Sequence, residues 1–203
     1  VLTGIRGDAE GLLSLDPAPY GNDPHTLFTF HFYYPTLFVF QSHGSLPDLR
    51  TAADIAYPSR LTSPTDSLNA LGRRLALWHV SPKERDADYR IAALNLAQYR
   101  TLNFDRSTIG DIFGRIAIWA GFHGIAADRI VLGEFNVVRR YGSYEGARDA
   151  DRFRWLRDVH DAAEDSGFGW CIWAYSGEGG MAIVKTDSSD EIEPLTLEAL
   201  RLP

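Results

Sequence analysis

Apolar positions recur along this chain at two spacings. Ile109, Ile112, Phe113, Ile116, Trp119, Ala120 and His123 fall three and four apart and predict a helix over Ser107–His123. Asp105 or Ser107 is placed to cap its start, and Gly124 to close it. Phe153, Leu156, His160 and Ala163 predict a second helix, Asp149–Asp165, ended by Gly167. Its other side is heavily charged and reads as a solvated face. Tyr89, Ala92, Ala93, Leu96 and Tyr99 place another helix in Lys83–Leu102. Ser67–Trp78, Ala9–Leu15 and Thr196–Leu202 read as further helical stretches.

Between these lie runs of strand character. Thr26–Phe32 is rich in Thr and Phe, and Gly169–Ala174 is a second such run. In Arg129–Phe135, the unbroken Ile130, Val131 and Leu132 suggest a strand covered on both faces. Val1–Gly4 reads as the tail of a fourth strand. Pro17–Pro24 is a connector, Val138–Ala147 a polar loop, and Glu178-Gly179-Gly180 a turn returning the chain through Met181–Val184. Strand and helix alternate, the order of a parallel α/β fold. Three firm strands and one partial are half of an eight-stranded barrel, which usually takes about 250 residues. From Tyr34 to Asn103 the chain is broken by Pro35, Pro47, Pro58, Pro64 and Pro82. That excursion is too long for a plain connection, and such excursions often shape a cleft.

Composition narrows the function classes. With 203 residues, 45% hydrophobic and 23% charged, the chain fits one globular domain. The net charge of −7 and the absence of a Lys/Arg block give no support for a nucleic-acid partner. A single cysteine, Cys171, excludes an intrachain disulfide and a Cys-rich zinc site. No His, Cys and carboxylate cluster has metal-ligand spacing, so no metal is expected. No apolar run reaches membrane-spanning length, and residues 1–20 lack the pattern of a signal peptide.

Candidate chemistry gathers at strand ends. Glu134 follows Gly133 at the C-terminal end of the Arg129–Phe135 strand, where barrel and doubly wound enzymes place reacting groups. His31 and Tyr33 end the Thr26–Phe32 strand, and their spacing of two puts them on one face. Trp173 alternates with Trp170, so if Trp170 is core, Trp173 faces out, and an indole offers a flat apolar face to a pyranose. Gln41, His43, Tyr175 and Glu178 fall where cleft-lining residues can stand. His123 and His160 lie on apolar helix stripes and read as packing.

The stretches TFHFYYP, VLGEFNV and WLRDVHDAAEDSGFGWCIWAYSG, in this order, resemble the C-terminal half of glycoside hydrolase family 5, the cellulase-like endoglucanases. The resemblance implies a (β/α)8 barrel in which residues 1–203 supply about strands five to eight. It implies retaining hydrolysis of a β-linked glucan, with Glu134 as nucleophile in Gly133-Glu134-Phe135, His31 and Tyr33 beside it, and Trp173 as a sugar platform. It also implies no cofactor and a secreted or periplasmic location. Retention requires two carboxyl groups about 5–5.5 Å apart. The family's acid/base lies in an Asn-Glu pair after strand four, and this chain has no Asn-Glu dipeptide. The resemblance therefore places the acid/base, with the strand-two arginine, on an N-terminal half from the same precursor or a companion chain. Where the family usually reads Phe-Thr-His-Gln-Gly, this chain reads Phe38-Val39-Phe40-Gln41-Ser42-His43-Gly44. Three other readings stand beside this one: a non-catalytic carbohydrate-binding half-barrel, an assembly module that pairs through open strand edges, and an unrelated α/β enzyme using Glu134 differently.

Overall fold

A computed structural model describes residues 1–21, 23–43, 49–141, 144–177, 180–185 and 190–203. In chain order the strands are β1 (Leu2–Asp8), β2 (Phe28–Phe32), β3 (Ile130–Phe135), a two-residue pair β4 (Arg140–Tyr141) and β5 (Tyr144–Glu145), and β6 (Gly169–Trp170). The helices are α1 (Ala9–Leu13), α2 (Thr36–Val39), α3 (Pro64–Leu77), α4 (Pro82–Thr101), α5 (Arg106–Phe122), α6 (Asp149–Asp165) and α7 (Pro194–Ala199). β1, β2, β3 and β6 lie side by side in that order, and every pairing is parallel. This is a four-stranded parallel α/β sheet, with β4 and β5 forming a separate antiparallel pair.

One face of the sheet carries the core. Phe28, Phe30 and Phe32 of β2 alternate with partly exposed Thr29 and His31, and Ile130, Leu132 and Phe135 of β3 are buried beside them. Against this face α5 sets Ile109, Phe113 and Ile116, and α6 sets Trp155, Leu156 and Val159. The rings meet edge to face at Phe30 and Phe113, 5.3 Å between centroids, and stack at Phe32 and Trp155, 5.9 Å. Val131 is only partly buried, and Ile5 on β1 is 86% exposed. The expectation of strands covered on both faces is therefore corrected: this chain covers one face of its sheet.

Helix ends follow their capping residues. Asp105 caps α5 by accepting from the Ser107 amide at 2.9 Å, and Gly124 follows the helix with φ +66°. Ser81 and Glu84 form a reciprocal capping box at the start of α4. The excursion between β2 and α5 is built from α2, α3 and α4. It is joined to α6 by the Tyr57 hydroxyl, which donates to Asp158 at 2.6 Å, and by Arg154, which donates to the Tyr57 carbonyl at 3.1 Å.

Three further expectations are corrected. The polar stretch Val138–Ala147 holds the β4–β5 pair. Within Gly169–Ala174 the paired residues are Gly169 and Trp170 alone, and beyond them the chain stays along β3 through the Cys171 amide, which donates to the Leu132 carbonyl at 2.9 Å, before it bends at Trp173. The charged side of α6 is not wholly solvated: Asp151, Arg152 and Asp161 are buried. Arg152 lies among partners from the far end of the chain, with its Nη1 2.5 Å from Glu193 and its Nη2 2.9 Å from the Thr196 hydroxyl.

Candidate active site

The site forms at the C-terminal ends of β1, β2 and β3, where Asp8, His31 and Glu134 are successive partners across the sheet. Phe30 pairs with Leu132, but His31 pairs with Glu134, so Gly133 is an extra residue in the ladder. The bulge turns Glu134 toward the partly exposed face and ends the alternation that buries Leu132. A Cβ on Gly133 would stand 2.5 Å from the Thr29 hydroxyl and 3.3 Å from the His31 ring. Glycine at 133 is what lets the imidazole lie against the β3 backbone.

Glu134 Oε2 receives two neighbours. The Tyr33 hydroxyl donates to it at 2.9 Å, and His31 Nδ1 lies 3.3 Å away. The His31 and Glu134 side chains keep 36% and 27% exposure, so the carboxylate is reachable from outside while held on one oxygen. Burial, and then the adjoining Glu134 carboxylate, push the Tyr33 hydroxyl well above its ordinary value. Tyr33 therefore keeps its proton and acts as a donor throughout the working pH range.

Trp173 lies three residues beyond β6 and is about half exposed. Its amide donates to the Phe135 carbonyl at 3.2 Å, and its carbonyl accepts from the Asn136 side chain at 2.6 Å. Its backbone is thus fixed by the two residues that follow Glu134. A cavity of about 570 Å³ opens beside His31 and Tyr33, lined also by Asp8, Glu10, Phe40 and Arg115. The two carboxylates in its wall are engaged. Asp8 caps α1 by accepting from the Gly11 amide at 2.7 Å, and Glu10 is held by Arg115 Nη1 and Nη2 at 2.8 and 3.1 Å.

Of the secondary candidates, Gln41 is corrected. It is fully buried and spans Phe38 and Ile55 of the excursion with three backbone hydrogen bonds at 3.0 Å, so it braces a loop and lines no cleft. Tyr175 is exposed, His43 stands edge-on to Phe40, and Glu178 lies outside the described residues. Trp170 packs on His160 and Phe135, and His123 packs on Trp119. Among the described residues no group of three or more His, Cys, Asp or Glu could hold a metal ion, and no helix is long and apolar enough to cross a membrane. Asn136 escaped the sequence reading. Its one signal was a polar residue inside the apolar run Phe135–Val138, which points to a buried side chain with dedicated partners.

No family model and no curated protein matches the chain. Solved structures do. An endoglucanase superposes with a TM-score of 0.59 at 18% identity, covering 96% of this chain and 44% of its own. The cellulose synthase subunit Z of Clostridioides difficile gives a TM-score of 0.59 at 18% identity, covering 95% of this chain and 45% of its own. Thermotoga maritima Cel5A, solved in complex with cellobiose, gives 0.56 at 17% identity, covering 97% and 44%. The fold is similar to part of these structures and of a glycoside hydrolase 5 lichenase from Caldicellulosiruptor, with a TM-score of 0.51 at 15% identity. The chain spans less than half the length of these structures.

Proposed function

We propose that residues 1–203 are the C-terminal half of a retaining β-glucan hydrolase domain, contributing strands five to eight, with Glu134 as nucleophile. The observation that carries this reading is the pair of contacts on one oxygen of Glu134, the Tyr33 hydroxyl at 2.9 Å and His31 Nδ1 at 3.3 Å, at the C-terminal ends of neighbouring parallel strands. The Tyr33 hydroxyl donates to Oε2 and leaves Oε1 the freer oxygen for attack. Oε1 bonds to the anomeric carbon as the glycosidic C–O bond breaks, and the leaving oxygen takes a proton from the acid/base. Water then attacks the glycosyl ester, the same acid/base takes its proton, and the sugar leaves with its configuration retained. Trp173, exposed and anchored beside Glu134, serves as the platform for a pyranose ring.

The acid/base belongs to the N-terminal half, from the same precursor or a companion chain. Two observations support this: the two carboxylates in the cavity wall are committed to a cap and an ion pair, and one face of the sheet is left uncovered, with Ile5 86% exposed. An endo-acting β-1,4-glucanase is the reading that the named relatives favour, and a secreted or periplasmic place goes with it. The test is hydrolysis of soluble cellulose by the chain joined to an N-terminal half-barrel. The joined protein should turn over, and Glu134→Gln should lower the rate by more than about 10³-fold, because the covalent route is closed. Glucan binding with no turnover in the joined protein would instead favour a carbohydrate-binding module.

A further inference from the structure

We infer that Asn136 is a positioning residue that sets where the Trp173 indole stands relative to Glu134. Asn136 is fully buried, two residues past Glu134 on the same backbone. Its side-chain NH2 donates to the Trp173 carbonyl at 2.6 Å and to the Met181 carbonyl at 2.7 Å. Its Oδ1 accepts from the Val137 amide at 2.8 Å and faces Arg152 Nη2 at 3.4 Å. Two acceptors on one side and two donors on the other fix the orientation of the amide and use its whole hydrogen-bonding capacity. With the Trp173 amide bound to the Phe135 carbonyl at 3.2 Å, both backbone polar groups of Trp173 are held by the residues next to Glu134. The indole is about half exposed, so its place is set from its backbone more than by packing.

The arrangement explains why this position is an amide. A carboxylate of the same size would face the Trp173 and Met181 carbonyls oxygen to oxygen, with no proton between them. Behind the amide, Arg152 is tied to Glu193 and Thr196, so the group that steadies Asn136 is itself immobilised. Nucleophile and platform therefore move as one unit, which is what a sugar bridging the two requires. The functional side of this inference rests on the proposed role of Trp173 as a platform; the geometric side does not.

The test uses the full chain labelled with 5-fluorotryptophan. The chain has five tryptophans, and Trp173→Phe assigns the fluorine resonance of interest. In Asn136→Asp and Asn136→Ala the Trp173 resonance should shift or broaden, while that of Trp119 on α5 stays in place. A Trp173 resonance unchanged in both variants overturns the inference. So does a Trp119 resonance that moves with it in both, since that marks general loosening. Cellotetraose binding supplies the second readout. Either Asn136 variant should weaken it roughly three- to tenfold, the scale of one aromatic contact, and should cause no further loss in a Trp173→Ala background. An Asn136 effect that persists undiminished in that background also overturns it. If the unaltered chain fails to bind cellotetraose, the sugar-platform reading falls, and the fluorine spectra still decide the role of Asn136.

Discussion

Tyr33 and Glu134 are 101 residues apart in the chain, and the hydroxyl of one donates to the carboxylate of the other at 2.9 Å. Two neighbouring parallel strands make this meeting. β2 delivers Tyr33 just past its last residue, and the Gly133 bulge turns Glu134 toward it. Removing the hydroxyl removes a hydrogen bond to a charged group, worth about 1.5–3 kcal/mol. In the joined protein, Tyr33→Phe should lower kcat/KM for glucan by roughly 10- to 100-fold. A Tyr33→Phe protein with unaltered kcat/KM would show that the contact has no part in the reaction.

Gly133 gives a sharper geometric prediction. A methyl group there would meet the Thr29 hydroxyl at 2.5 Å and the His31 ring at 3.3 Å. Thr29 cannot swing aside freely, because its hydroxyl donates to the Val131 carbonyl at 2.9 Å. Gly133→Ala should therefore destabilise the chain by about 1–3 kcal/mol, the usual cost of overpacking. Thr29→Ala in the same protein should restore much of that loss. Equal denaturation midpoints for Gly133→Ala and the unaltered chain would show that the bulge has slack that the distances deny.

The buried charges behind Asn136 carry a pH signature. Burial pushes the Glu193 carboxyl upward, but Arg152 and the Thr196 hydroxyl outweigh this and hold it below its ordinary 4.5. A depressed carboxyl group binds fewer protons folded than unfolded, so its stabilisation is full above 4.5 and is lost as pH falls below that value. Glu193→Gln should flatten this acid limb in denaturant titrations taken across the window. At pH 7 the same change should cost about 3–5 kcal/mol, because it strands the Arg152 guanidinium in the core. An acid limb as steep as before would mean that other carboxylates carry it.

Much of this arrangement is legible along the chain, and what is not has a common cause. Period and composition are local, and they located α5, α6, β2 and β3 close to their observed ends. The strand-end positions of His31, Tyr33 and Glu134 followed from the same local pattern, although their convergence is a property of the sheet. Long-range pairing is what the pattern misses. Arg152 looks like one more charge on a solvated helix, yet its partner Glu193 lies 41 residues on. Gln41 looks like a cleft residue, yet all its bonds serve the backbone of its own excursion. Gly169–Ala174 has the composition of a full strand, yet its ladder pairs stop at Trp170 and the chain bends at Trp173, where the Asn136 side chain holds the carbonyl. In each case a hydrogen bond that no local period encodes overrides the local preference.

The last prediction separates the two steps of retention. A natural glucan has a poor leaving group, and general-acid protonation of it is typically worth about 10²–10⁴-fold. A dinitrophenolate leaves with little such help. With Glu134 on this chain and the acid/base on the other half, the chain alone should not hydrolyse glucan measurably, and the joined protein should. In the joined protein, removing only the acid/base should spare attack on an activated aryl glycoside while slowing glucan hydrolysis. A 2-fluoro cellobioside carrying dinitrophenolate should then accumulate as an ester on Glu134, because fluorine beside the anomeric carbon slows both steps and the good leaving group rescues only the first. Peptide mass mapping should place the label within Ile130–Phe135. Tyr33→Phe should slow the labelling without moving it, since Tyr33 holds the oxygen that does not attack. A label on any other carboxyl group, or undiminished glucan turnover by Glu134→Gln, would remove Glu134 from the role of nucleophile.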